Sequence, residues 1–215
     1  MHAMSGNLVW LAAMTTVLVL FGYEAVVVVA QHRWPNRMAR SVHAALREDW
    51  FSAVSQSAGS EILAVQTLRN SLMSATMTAS TAVLALMGTV TLVAPSLRLS
   101  FDEAAALPSL TPRLMLEVLL LNLLIASLVC SAMAVRYYNH VGFISGMPVA
   151  SEARQRWEPA GTAYLRRAGL LYSWGLRHLI LAAPIVASLL HPFAGPVAVV
   201  IVLVVLLRFD RVEAQ

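Results

Sequence analysis

Two charged residues stand inside otherwise apolar runs, Glu24 in "LVWLAAMTTVLVLFGYEAVVVVA" and Arg177 in "LLYSWGLRHLILAAP". A charge at membrane depth costs about 2.5–3.5 kcal/mol on insertion scales, so such groups pair with each other, line a hydrated path or bind something. Glu24 lies six residues from the end of its run and Arg177 seven from the start of its own. At about 1.5 Å per helical residue both are about 10 Å deep. Matched depth predicts an ion pair, which would either fix helix packing or form a substrate or ion site. A third arrangement has Arg177 snorkelling to the interface and Glu24 taking up a proton.

Hydroxyls form a second polar feature. In "EILAVQTLRNSLMSATMTASTAVLALMG", Ser71, Ser74, Thr78, Thr81 and Gly88 recur on one helical face together with Ala85. Small residues in that pattern let a neighbouring helix approach closely, and the hydroxyls can bond back to their own helix. The alternative is a stripe facing a water-filled path, with Asn122 as an added ligand near the middle of the third run. Arg69 and Asn70 precede the stripe, where arginine can meet phosphate headgroups and asparagine can bond neighbouring backbone. With Asn139, His140 and Arg177 they are read as one polar layer at one end of the bundle.

Other chemistry is excluded by residue type. All fifteen cationic side chains are arginine, so no P-loop, Schiff-base lysine or serine-lysine dyad can be assembled. Cys130 is the single cysteine, which rules out an intramolecular disulfide and a cysteine metal cage. "GFISG" has the wrong spacing for a nucleophile elbow, and there is no HExxH. His32, His43 and His140 are expected near the cytoplasmic face, His191 lies in the hairpin turn and only His178 lies within a run, so two imidazoles at matched depth for a membrane haem are lacking. No enzyme activity, cofactor or metal is expected.

The elements that must position these residues are membrane helices. Composition is 59% apolar and 12% charged, outside the range of a soluble domain. Runs long enough to cross about 30 Å of hydrocarbon lie near 8–30, 72–95, 114–135 and 170–190. A shorter fifth, 193–209, follows "HPFAGP", whose prolines and glycine predict a tight hairpin. The prediction is therefore one all-α domain over 1–215, an integral membrane bundle of about five spans with cytoplasmic loops 31–71 and 136–169.

Five spans put twelve of the fifteen arginines on one side; only Arg98 and Arg113 fall opposite, and Arg177 within a span. By the positive-inside tendency the N-terminus is outside and the C-terminus, with Arg208 and Arg211, cytoplasmic. The first run lacks a basic n-region and is too long for a signal-peptide core, so it is read as a span. Trp10, Trp34, Tyr137 and Tyr138 fall at interfacial positions.

Between the first two runs, Met38, Val42, Leu46, Trp50 and Val54 recur every four residues, with Arg37, Arg40 and Arg47 off that stripe. This predicts an amphipathic helix, either on the cytoplasmic membrane surface or packed against the bundle. The basic residues follow topology, so no nucleic-acid partner is expected despite a pI near 9.8.

Four motifs in order, "EILAVQTLRNSLMSATMTASTAVL", "RYYNHVGFISG", "YSWGLRHLILAAP" and "LLRFD", give the chain its resemblance to domain of unknown function 599, a bacterial and plant membrane-protein family. The resemblance covers most of the chain and implies a multi-pass helical protein of the bacterial inner membrane. It places Arg69, Asn70, Asn139, His140, Gly175, Arg177, Pro184 and Asp210 at motif positions and implies no activity. "HLILAAP" and "IVASLLHP" depart from it, being aliphatic where the family often carries aromatics.

Two functions remain open on these grounds. One is a transport or channel-type homo-oligomer whose arginine-rich layer favours anions. The other is a non-transporting accessory or scaffold protein that docks a partner membrane protein or binds anionic lipid headgroups.

Overall fold

The computed structural model describes residues 2–34, 38–102 and 111–210, with side chains from 6 to 34, 38 to 95 and 111 to 210. Arg37 and Arg211 fall outside the described residues, and the side chain of Arg98 is not described. Among the described residues six helices follow one another: α1 His2–Arg33, α2 Ala39–Gln56, α3 Glu61–Asp102, α4 Pro112–Ser145, α5 Glu152–Leu190 and α6 Ala194–Asp210. The architecture is all-α, a helical bundle.

Four of these helices, α1, α3, α4 and α5, are long and apolar enough to cross a membrane. α6 is the fifth apolar helix; its 17 residues span about 25 Å. It is joined to α5 by a turn at His191–Phe193, where Ala194 N–H donates to the His191 carbonyl (2.9 Å). The helices reach well beyond the apolar runs. α4 continues to Ser145 and α5 starts at Glu152, so most of 136–169 is a helical hairpin instead of a loop.

Local sequence explains the boundaries. Thr111 caps α4 by accepting from Leu114 N–H at 3.1 Å, with Pro112 at the first helical position, where its missing N–H costs nothing. Ser151 caps α5 by accepting from Arg154 N–H at 3.2 Å. Gly59 turns the chain between α2 and α3 with φ of +84°, a conformation that disfavours a Cβ.

Two apolar clusters fill the bundle. The first joins α1, α4, α5 and α6 through residues such as Leu20, Leu120, Leu181, Ile185 and Val199. The second joins α2, α3, α4 and α5 through Phe51, Leu68, Ala134, Val141 and Leu165. α3 lies against α4 along most of its length and leaves much of its surface uncovered.

α2 packs on the bundle, one of the two placements left open by its amphipathic pattern. Arg40 meets Trp174, Arg47 meets Gly169, Phe51 meets Gly161 and Ser55 meets Arg154. As the α2 number rises the α5 number falls, so α2 runs antiparallel along about 30 Å of α5. Its most buried residues include Arg40, Ala44, Phe51 and Ser55, while Met38, Val42, Trp50 and Val54 of the apolar stripe are partly buried. Leu46, on that stripe, is 63% exposed.

The reason lies on α5. A Cβ at Gly161 would stand 2.6 Å from Phe51 Cζ, and one at Gly169 would overlap the Arg47 guanidinium. These glycine notches accept a phenyl ring and an arginine, so the helix turns its arginines inward.

Candidate functional site

Glu24 of α1 and Asp210 of α6 converge on Arg177 of α5. Its side chain is 4% exposed, against 19% for Glu24 and 18% for Asp210. Arg177 Nε donates to Glu24 Oε1 at 2.7 Å, and Nη1 donates to Asp210 Oδ2 at 2.9 Å and Oδ1 at 3.2 Å. The Tyr23 hydroxyl donates to Asp210 Oδ2 at 2.7 Å, and the guanidinium carbon lies 4.8 Å from the Tyr23 ring centroid. One arginine on α5 thereby ties α1 to α6. Charge-assisted bonds of this kind are about twice as strong as neutral ones.

Arg40 of α2 supplies a second cation beside this cluster. Its guanidinium carbon stands 4.1 Å from the Trp174 ring centroid and Nη1 donates to Gln31 Oε1 at 3.3 Å. Burial, then the Arg177 charge, pulls Arg40 below its ordinary pKa, while Asp210 and Glu24 pull it back. An arginine starts so high that it stays protonated. By formal charge the two arginines offset the two carboxylates. His178 stacks on Trp174 with centroids 5.6 Å apart.

Close helix approach fixes Arg177 in place. Ser127 donates to the Gly175 carbonyl at 2.7 Å, and a Cβ on Gly175 would run into Ser131. Below it, α2 and α5 are pinned by Arg154, which is 1% exposed, donates to Ser55 Oγ at 2.8 Å and also donates to the Ile144 carbonyl. A cation on the last carbonyls of α4 satisfies groups that have no partner within the helix.

The expected polar layer divides in two. Gly175 faces Ser127 and Ser131 on α4, so Arg177 stands near residue 127, whereas Asn139 lies twelve residues further along that helix. That separates them by about 18 Å. Arg69 and Asn139 instead share a groove between α3 and α4. Asn70 is exposed, and His140 is exposed with its ring 5.9 Å from that of Tyr164. Asn122 is exposed and donates to its own helix at the Val118 carbonyl, 2.9 Å away.

The α3 hydroxyls likewise bond within their own helix. Ser71, Ser74, Thr78 and Thr81 donate to the carbonyls four residues back at 3.4, 3.1, 3.0 and 2.9 Å. The face that meets α4 is Ala64, Leu68, Ala75, Thr78 and Ala82, all buried. Ser74, Thr81 and Gly88 point outward, and nothing lies within 4 Å of where a Gly88 Cβ would be.

Tyr23, Arg40 and Trp174 were not legible as partners of Arg177. Asp210 stood out only as a motif position, since a carboxylate at the very end of an apolar run reads as a boundary residue. Glu117 is also a buried carboxylate, bound by Arg113 Nε at 2.9 Å within the fourth helix; its spacing of four from Arg113 was the available signal. Among the described residues no group of three His, Cys, Asp or Glu side chains could hold a metal ion.

One comparison with known proteins identifies the chain's relatives. The family described as "Protein of unknown function, DUF599" matches residues 11–215. No curated protein and no solved structure matches.

Proposed function

We propose, for a chain that belongs to the DUF599 family of proteins of unknown function, that it is a non-transporting accessory or scaffold protein of the membrane. The reading places its arginine-rich end in the cytoplasm and gives it no catalytic activity of its own. The observation that carries it is how the polar groups are used. Arg177 is divided between Glu24 and Asp210, and the α3 hydroxyls and Asn122 are returned to their own helices. A conducting path needs such groups turned towards a shared hydrated channel.

What remains for a partner is the outer face of α3. Ser74, Met77, Thr81, Leu84 and Gly88 are all exposed and recur at alternating spacings of three and four. Small residues alternating with large ones at that spacing suit a second membrane helix. Within one chain the stripe lines no interior among the described residues, so transport would need a path between subunits.

The test is extraction from native membranes in mild detergent, with native mass spectrometry reading subunit number and accompanying protein together. A heteromeric complex that is lost in Thr81→Trp and Gly88→Trp supports the scaffold reading. A closed homo-oligomer that carries anions across liposomes contradicts it.

A further inference from the structure

Arg69 sits in a groove of about 660 Å³ between α3 and α4, within the range of about 300–1,000 Å³ usual for ligand sites. The groove is apolar, walled by Leu68, Leu72, Tyr138 and Phe143, and its polar side chains of note are Arg69 and Asn139. Neither makes a hydrogen bond, ion pair or ring contact through its side chain among the described residues. Both are exposed. The guanidinium and the amide N–H are donors, so what they share is a demand for an anionic acceptor.

The surroundings select the source of that acceptor. Exposed apolar side chains flank Arg69 on both sides: Ile62 and Leu63 precede it on α3, Met73 and Met77 follow it, and Phe143 stands across the groove on α4. An arginine within an apolar, bilayer-facing surface is costly unless an anion meets it. In a bilayer the anion at that depth is a lipid phosphate.

We infer that the α3–α4 groove holds an anionic phospholipid, its phosphate on Arg69 and Asn139 and an acyl chain against Leu68, Leu72 and Tyr138. The site goes beyond the scaffold reading and does not depend on it. Gly142 lines the groove, and nothing lies within 4 Å of where its Cβ would be, so a larger side chain there has open space to enter. A charge-assisted contact of this kind supports selectivity for anionic over zwitterionic headgroups.

The experiment uses the full chain purified in mild detergent and incubated with phosphatidylglycerol or phosphatidylcholine of the same acyl composition, with retained lipid read by native mass spectrometry. Phosphatidylglycerol is retained and phosphatidylcholine is not. Arg69→Gln lowers retention about tenfold, the loss of one charged hydrogen-bonding group. Gly142→Leu, which projects into the groove, lowers it with Arg69 intact. Arg167→Gln, removing another exposed arginine, leaves it unchanged. Thermal unfolding like that of the wild type shows that the variants are folded, as expected for residues without packed partners. Equal retention by wild type and Arg69→Gln overturns the proposal, as does an equal loss in Arg167→Gln, which would mean attraction to the basic end in general. A bound protein in place of lipid, released by Arg69→Gln, overturns it too.

Discussion

Arg177 reaches Asp210 across the α5–α6 hairpin, Nη1 to Oδ2 at 2.9 Å, while its Nε is held by Glu24 of α1. The arrangement makes three helices interdependent. Removing the arginine leaves the partly buried Glu24 and Asp210 carboxylates without their direct partner, so Arg177→Ala is expected to destabilise the fold by about 3–5 kcal/mol. Thermal unfolding in detergent measures the loss.

Rescue distinguishes this triad from a simple pair. Glu24→Gln with Arg177→Met recovers part of the stability, because Asp210 loses the arginine that bonds it directly and keeps only Tyr23 and the nearby Arg40 charge. Adding Asp210→Asn recovers more, since replacing a whole buried ionic group is often neutral or stabilising. Full recovery in the double variant would show that Asp210 contributes nothing to the cluster.

Tyr23→Phe removes the hydroxyl that donates to Asp210 at 2.7 Å and keeps the ring beside Arg177. A hydrogen bond to a charged group contributes about 1.5–3 kcal/mol, which sets the expected loss. Tyr23→Leu, which loses the ring as well, is expected to cost more.

The α2–α5 contact offers an independent check. Gly161→Leu drives a side chain into Phe51, and overpacking of that kind costs about 1–3 kcal/mol. Hydrogen exchange is expected to rise along α2 while α1 and α6 stay protected. Unchanged exchange on α2 would contradict the packing described here.

The apolar runs of the chain were legible because a span of hydrocarbon imposes its length on sequence directly. Glu24 and Arg177 were legible as a pair because their depths match. The polar ends were harder. The 136–169 segment reads as loop by composition, yet Val141, Leu165 and Ala168 bury enough apolar surface to continue α4 and α5 as helices. The inward turn of Arg47 on α2 was not legible because the notch at Gly169 that receives it lies more than a hundred residues away. Arg69 and Arg177 fell into one layer because distance from a run's end fixes depth only coarsely when helices extend past the run. Asp210 needed the α5–α6 turn to bring it back to Arg177.

The most direct measurement is anion flux through liposomes containing the purified protein, with Arg177→Met/Glu24→Gln/Asp210→Asn alongside the wild type. A scaffold whose buried charges are spent on holding helices together gives chloride and phosphate flux no higher than protein-free vesicles for both proteins. Flux by the wild type that disappears in the variant, with the variant folded, would make the Arg177 cluster part of a transport path.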